Sequence, residues 1–163
     1  MNTSYLLIGG NEGDSLSWLS KARCVIERMA GRILRSSAIY RTAPWGKTDQ
    51  ADFLNQALLI ETSLEAPALM TVLLEIEEQM GRRRVEKYGS RIIDIDILFF
   101  NEEIIALPQL TVPHPEIQRR RFVLAPMEEI AGEFIHPVIR KSIRELLAEC
   151  PDQGDVKKIS AII

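Results

Sequence analysis

At 163 residues, with 46% hydrophobic and 26% charged, the chain is long enough to bury a core and is read as one domain over residues 1–163, not as a disordered or fibrous protein. The net charge of −3 argues against a nucleic-acid backbone or an anionic membrane as partner, and no apolar run approaches a membrane span. The start MNTSYLLIGG lacks the basic opening and long apolar stretch of a signal peptide, and the two cysteines, Cys24 and Cys150, have no metal-ligand spacing. A cytoplasmic protein with inert thiols is therefore expected, and nothing demands more than a monomer.

In chain order, Tyr5 to Ile8 reads as a strand running into the glycine loop GGNEGD, residues 9–14. Asp14 or Ser15 can cap a helix whose Leu19, Ala22, Ile26 and Met29 keep helical spacing, with Gly31 as its stop. Ile33 to Tyr40 returns as a strand, a loop covers 42–52, and Phe53 to Glu61 gives another strand. Pro67 suits a first helical turn, and Leu69, Val72, Leu73, Ile76 and Met80 form the stripe of a second helix ended by Gly81. Ile92 to Phe100 is the next strand. The order βαββαβ predicts an α+β, ferredoxin-like sandwich with helices on one face of the sheet. The proline-punctuated stretch 108–126 is expected to add a short helix near the site, and Ser142 to Cys150 a last amphipathic one.

The chemistry concentrates in SRIIDIDILFF, residues 90–100. In a strand, Asp94 and Asp96 share one face while Ile93, Ile95 and Ile97 take the other. Their Cα atoms would lie roughly 6 to 7 Å apart, near enough for both carboxylates to serve one or two hard cations, magnesium being the simplest. The competing reading is an exposed strand face, although Asp is disfavoured in strands. Seven of the fourteen arginines, at 82, 83, 84, 91, 119, 120 and 121, flank this stretch, and His114 lies close to three of them in sequence. Paired acids among arginines are what a metal-bound polyphosphate requires, because Mg²⁺ bridges phosphate oxygens and Arg forks bind them bidentately. A basic patch on an acidic protein favours a small polyanion such as a nucleotide.

Other features carry two readings each. The GGNEGD loop is either a phosphate cradle or a tight strand-to-helix turn, and it has neither Walker nor GxGxxG spacing. Trp45, in the long loop, either closes over a ligand or fills a satellite core. Asn55 offers paired donor and acceptor groups to a heterocyclic amide edge, and Phe53 and Phe122 either stack on such a ring or belong to the core. His114, between Pro113 and Pro115, is either a phosphate donor or structural.

These residues resemble a known family. KYGSRIIDIDIL at 87–98 is similar to the signature of the 6-hydroxymethyl-7,8-dihydropterin pyrophosphokinases of folate biosynthesis. IGGNEGD at 8–14, YRTAPWG at 40–46, FLNQA at 53–57, GRRR at 81–84, TVPHP at 111–115 and RRFVLAP at 120–126 follow in the family's order over essentially the whole chain. The resemblance implies an ATP-dependent diphosphotransferase that moves the β,γ-pyrophosphoryl group of ATP to the pterin hydroxymethyl oxygen and releases AMP. It implies that Asp94 and Asp96 hold two Mg²⁺ ions, with ATP as co-substrate. Arg82, Arg84, Arg91, His114 and Arg120 match positions on the phosphates, Ile97 and Thr111 the adenine end, and Glu77 a position near ATP or else a surface glutamate. Thr42, Ala43, Trp45, Gly46, Phe53, Asn55 and Phe122 match the pterin pocket. The loops at 42–52 and 82–90 would close over the substrates.

Departures from the pattern are Gly10 for serine, Ser90 for proline, Tyr88 for tryptophan and Gln109 for an ATP-contacting arginine, and the loop 83–90 is a residue shorter than in some relatives. Two other classes compete. A ferredoxin-like RNA-binding module would show an aromatic RNP strand, which is not visible. A metal-dependent phosphohydrolase or nuclease would use the same aspartates with further ligands, of which two histidines offer few.

Overall fold

The computed structural model describes residues 1–43, 51–81 and 92–159. Its main sheet is antiparallel in the order β5-β1-β4-β3-β8, from β1 (Asn2–Gly10), β3 (Ile39–Thr42), β4 (Phe53–Thr62), β5 (Asp94–Phe100) and β8 (Val156–Ile159). The remaining strand, β2 (Arg32–Ser36), pairs the far half of β4. Helices α1 (Ser15–Met29) and α2 (Ala66–Gln79) complete the βαββαβ order, its second strand divided into β2 and β3, so the ferredoxin-like α+β reading holds.

The alternation of side chains explains the two cores. Leu6 and Ile8 of β1, Leu54, Leu58 and Ile60 of β4, and Ile93, Ile95 and Ile97 around β5 meet Leu19, Ile26, Leu69, Leu73 and Ile76 of α1 and α2. The other face of the sheet is also covered, which departs from the expected single helical layer. There Leu7, Ala57, Leu98 and Phe99 pack against α3 (Arg121–Ala131) and α4 (Ile143–Glu149). Leu98 and Phe99 face this second core together because the β1–β5 register shifts between Tyr5 and Leu6, leaving Leu98 as the extra residue of a bulge.

Three further differences from the sequence reading have local causes. The strand expected over 33–40 is two strands, broken at Ser37. The buried Ser37 hydroxyl accepts from the Ala57 N–H (2.9 Å) and donates to the Ala38 carbonyl (2.7 Å), replacing ladder bonds with side-chain ones. The stretch 105–112 forms a hairpin of β6 (Ile105–Leu107) and β7 (Leu110–Val112), with Pro108 and Gln109 at its turn. The helix expected near 108–126 is α3, eleven residues long with Pro126 inside it, preceded by a 3₁₀ turn over Ile117–Arg119. Gly31 does follow α1, but for want of space: a Cβ there would meet the Glu61 carbonyl oxygen at 2.3 Å.

Candidate active site

One row of side chains crosses the sheet on the face that α3 covers. Asp94 is opposite Gly9, Gly9 is opposite Asn55, and Asn55 is opposite Tyr40; the next row runs from Asp96 to Leu7 to Ala57. Residues directly opposed across a ladder point to the same face, so Asp94 and Asn55 lie on either side of a position with no side chain. Their Cα atoms are two strand spacings apart, roughly 10 Å. The Asn55 carboxamide occupies the space above Gly9: a Cβ on that glycine would sit 2.1 Å from Asn55 Oδ1 and 3.0 Å from the Leu54 carbonyl oxygen. Asn55 is thus turned toward Asp94 while remaining 6% exposed.

The alternation expected for β5 is present. Asp94 and Asp96 are half-buried on the α3 face, and Ile93, Ile95 and Ile97 are buried against α1 and α2. Since β5 is the edge of the sheet, its outward amides need partners from elsewhere. One is Glu77 of α2, whose Oε2 accepts the Ile95 N–H at 2.6 Å. Glu77 is 3% exposed, so the surface alternative weighed for it does not hold; it ties down the peptide lying between the two aspartates. By the two-residue period the Ile97 amide points the same outward way, while the Ile97 side chain is in the core.

Beside this edge the hairpin delivers His114, whose N–H donates to the Leu98 carbonyl (3.0 Å) at the bulge. Its Nδ1 accepts the Glu116 N–H (3.2 Å), which leaves Nε2 to carry the proton of the neutral ring. Burial, and then the Arg120 guanidinium, push the His114 pKa below the usual histidine value, against an opposing pull from Glu116. Arg120 stands just before α3, and its guanidinium carbon lies 5.7 Å from the centroid of the Phe122 ring. Arg119 instead pairs with Glu116 (3.6 Å) at the surface. Thr111 is exposed on β7, and Gln109 at the hairpin turn is exposed near it.

Phe53 and Phe122 are both half-buried, Phe122 against the second core. Thr42, opposite Phe53 on β3, is 8% exposed, and its buried Oγ1 has no hydrogen-bond partner among the described residues. Ala43 follows it, exposed. The glycine loop is a strand-to-helix turn: Asp14 caps α1, accepting from the Ser17 N–H (3.3 Å) and hydroxyl (2.9 Å), so a carboxylate already occupies that helix start. Arg82, Arg84, Arg91, Trp45 and Gly46 lie outside the described residues, as do Tyr88, Ser90 and most of the two loops expected to close.

Sequence reasoning did not single out Gly9 as the gap in the row. Glu77 stands four residues after Leu73 and eight after Leu69 on the buried stripe, a periodicity that marks it as inward-facing rather than a surface glutamate.

Comparisons with known proteins place the chain in a family. A family model described as 7,8-dihydro-6-hydroxymethylpterin-pyrophosphokinase (HPPK) matches residues 5–132. The 2-amino-4-hydroxy-6-hydroxymethyldihydropteridine pyrophosphokinase of Aquifex aeolicus is 38% identical over 149 residues, 91% of this chain and 92% of its own. The protein of the same description from Bacillus subtilis is 43% identical over 133 residues, 81% of this chain and 80% of its own. The crystal structure of Plasmodium falciparum HPPK-DHPS wild type with pteroate superposes with a TM-score of 0.77 at 19% identity, a likeness of fold. It covers 91% of this chain, which spans less than half (44%) of that longer one. With its βαββαβ sheet, its aspartate pair on the edge strand and these relatives over most of its length, the chain belongs to the 7,8-dihydro-6-hydroxymethylpterin-pyrophosphokinase family.

Proposed function

We infer that this chain transfers the pyrophosphoryl group of ATP to 6-hydroxymethyl-7,8-dihydropterin, giving the pterin diphosphate ester and AMP, a step of folate biosynthesis. The observation that carries this reading is the row of Asp94, Gly9 and Asn55, which sets a carboxylate pair and a carboxamide on one face across a gap. Two half-buried carboxylates one pleat apart fit a hard cation whose other ligands come from phosphate and water, so Asp94 and Asp96 would hold two Mg²⁺ ions. When bound, the ions neutralise the triphosphate and polarise the attacking hydroxyl.

The chain's own residues bind and orient. The Asn55 carboxamide suits the amide edge of the pterin, and Phe53 and Phe122 its two ring faces, with Thr42, Ala43, Trp45 and Gly46 assigned to pterin recognition by their match to the family's motif. At the other end, the outward backbone of Ile97, with Thr111 beside it, offers hydrogen bonds to adenine. His114 presents Nε2–H to a phosphate oxygen, and Arg82, Arg84, Arg91 and Arg120 hold the remaining charge. Glu77 acts near ATP through its bond to the Ile95 amide.

The hydroxymethyl oxygen attacks the β-phosphorus in line. The bond from that phosphorus to the α,β-bridging oxygen breaks, and AMP leaves with the oxygen. The hydroxyl proton passes late to Asp96 or water. Positioning and charge neutralisation supply the rate, and no protein phospho-intermediate forms. Residues 1–163 act as one pyrophosphokinase domain, as a monomer on small molecules.

The test is AMP formation from ATP and Mg²⁺ with and without the pterin alcohol, for the wild type, Asp94→Ala and Asp96→Ala. AMP is expected only with the pterin, and each substitution should lower turnover by about two to three orders of magnitude. Phosphate release without pterin would instead select the phosphohydrolase reading.

A further inference from the structure

The two halves of α3 are held differently. Its C-terminal half is tied to β2 and β3: Glu129 accepts from the Tyr40 hydroxyl (2.6 Å) and the Ala38 N–H (3.0 Å), and the Ile130 carbonyl accepts from Arg35 (2.7 Å). Its N-terminal end carries Arg120 and Phe122 toward the site. There the capping residue, Arg120, makes no side-chain cap, and no acidic residue lies in the first turn. Three successive arginines, 119 to 121, stand at the positive end of the helix dipole, where cations are unfavourable.

The missing cap comes from far along the chain. Asp152 Oδ2 accepts the Arg121 N–H at 3.2 Å, and its Oδ1 accepts the Gly154 N–H at 2.9 Å. The same short segment is anchored behind by Gln153, which donates to the Cys150 carbonyl (3.0 Å). Ahead it enters β8, whose Val156 lies opposite Thr42. Residues 150–156 therefore strap the front of α3 to the strand end that carries Thr42.

We propose that Asp152 is a positioning residue for the transfer reaction, capping α3 from the C-terminal segment and so fixing how Arg120 and Phe122 enter the site. This rests on the proposed function for what the pocket binds, but not for the cap itself. An N-cap carboxylate removed from a helix start loosens the first turn, and Phe122 then no longer presents one fixed face to the ring.

The experiment compares wild type, Asp152→Ala and Asp152→Asn by steady-state kinetics and by amide hydrogen exchange without substrates. Asp152→Ala should raise KM for the pterin about tenfold with kcat within about threefold of wild type, and Asp152→Asn, which keeps an acceptor oxygen, should stay within about twofold on both. The Arg121 amide should exchange faster in Asp152→Ala, with the amides of Leu7 and Leu58 unchanged. An unchanged pterin KM, equal impairment of both variants, or lost protection across the whole sheet would each overturn the proposal. Because the exchange arm needs no substrate, it judges the cap alone. Absence of pterin-dependent AMP from the wild type would overturn the functional reading instead.

Discussion

Gly9 illustrates how a site can depend on a side chain that is absent. Its hydrogen leaves room for the Asn55 carboxamide to lie across β1 toward Asp94, and a methyl group there would overlap Oδ1. Gly9→Ala should therefore cost about 1–3 kcal/mol of stability through overpacking, read from the denaturant midpoint. It should also raise the pterin KM at least about tenfold as Asn55 is displaced. A normal pterin KM in that variant would show that Asn55 does not recognise the ring. Glu77 acts at the same scale on the other side of the strand. Glu77→Ala leaves the Ile95 N–H without its acceptor and should cost about 1–3 kcal/mol, whereas Glu77→Gln keeps an acceptor and should recover much of it. Because that peptide follows Asp94 and lies between the two aspartates, the Ala variant should also need more Mg²⁺ for half-maximal turnover; an unchanged requirement would reduce Glu77 to a stability role.

At the scale of elements, the site is assembled where regular structure is interrupted. The bulge at Leu98 lets β5 present Asp94 and Asp96 early in the strand and two core residues, Leu98 and Phe99, after them on the same face. The break at Ser37 ends β2 and allows β3 to start a new course along β4, bringing Thr42 opposite Phe53. Ser37→Ala removes the acceptor for the Ala57 N–H within a buried environment and should cost about 1–2 kcal/mol. Thermal unfolding of that variant beside wild type measures it, and no change in midpoint would mean that water replaces the hydroxyl. Glu129 ties helix α3 to the start of β3, taking both the Tyr40 hydroxyl and the neighbouring Ala38 N–H. Burial and that bond to Glu129 raise the Tyr40 pKa, so the phenol stays a donor at neutral pH.

For the whole molecule, the burial of His136 and the partial burial of His114 make stability depend on pH. Burial lowers the pKa of both His114 and His136 from the ordinary 6.5, Arg120 adding to the effect at His114. His136 Nδ1 accepts the Val138 and Ile139 N–H groups, each at 3.1 Å, bonds that protonation of that nitrogen would break. With a folded pKa below the unfolded one, the unfolded chain binds more protons as the pH falls past the unfolded value. Stability is therefore full above about pH 6.5 and declines as acid carries the solution through the lower folded values. Melting temperatures should fall between about pH 7 and pH 5 by more than in a variant with both histidines replaced by asparagine. Parallel profiles would remove the histidines as the cause. No helix among the described residues is long and apolar enough to cross a membrane.

The sequence by itself determined what rests on short-range periodicity. The stripes of α1 and α2, the long strand β4, the central residues Tyr5 to Ile8 of β1, and the separation of Asp94 and Asp96 from Ile93, Ile95 and Ile97 all follow from side-chain spacing within one segment. So did the family, whose motifs are local strings. What tertiary structure alone decided involves partners distant in the chain. Strands of three or four residues, such as β6, β7 and β8, carry too little pattern to identify themselves and exist through their ladders. Proline inside α3 reads as punctuation until packing on the sheet compensates for the missing N–H. Gly9 matters because Asn55 approaches it from another strand, Glu77 because an edge amide lies beside it, and Asp152 because α3 begins there without a cap of its own. In each case the physical cause is a polar group or a volume supplied by another segment, which linear order does not show.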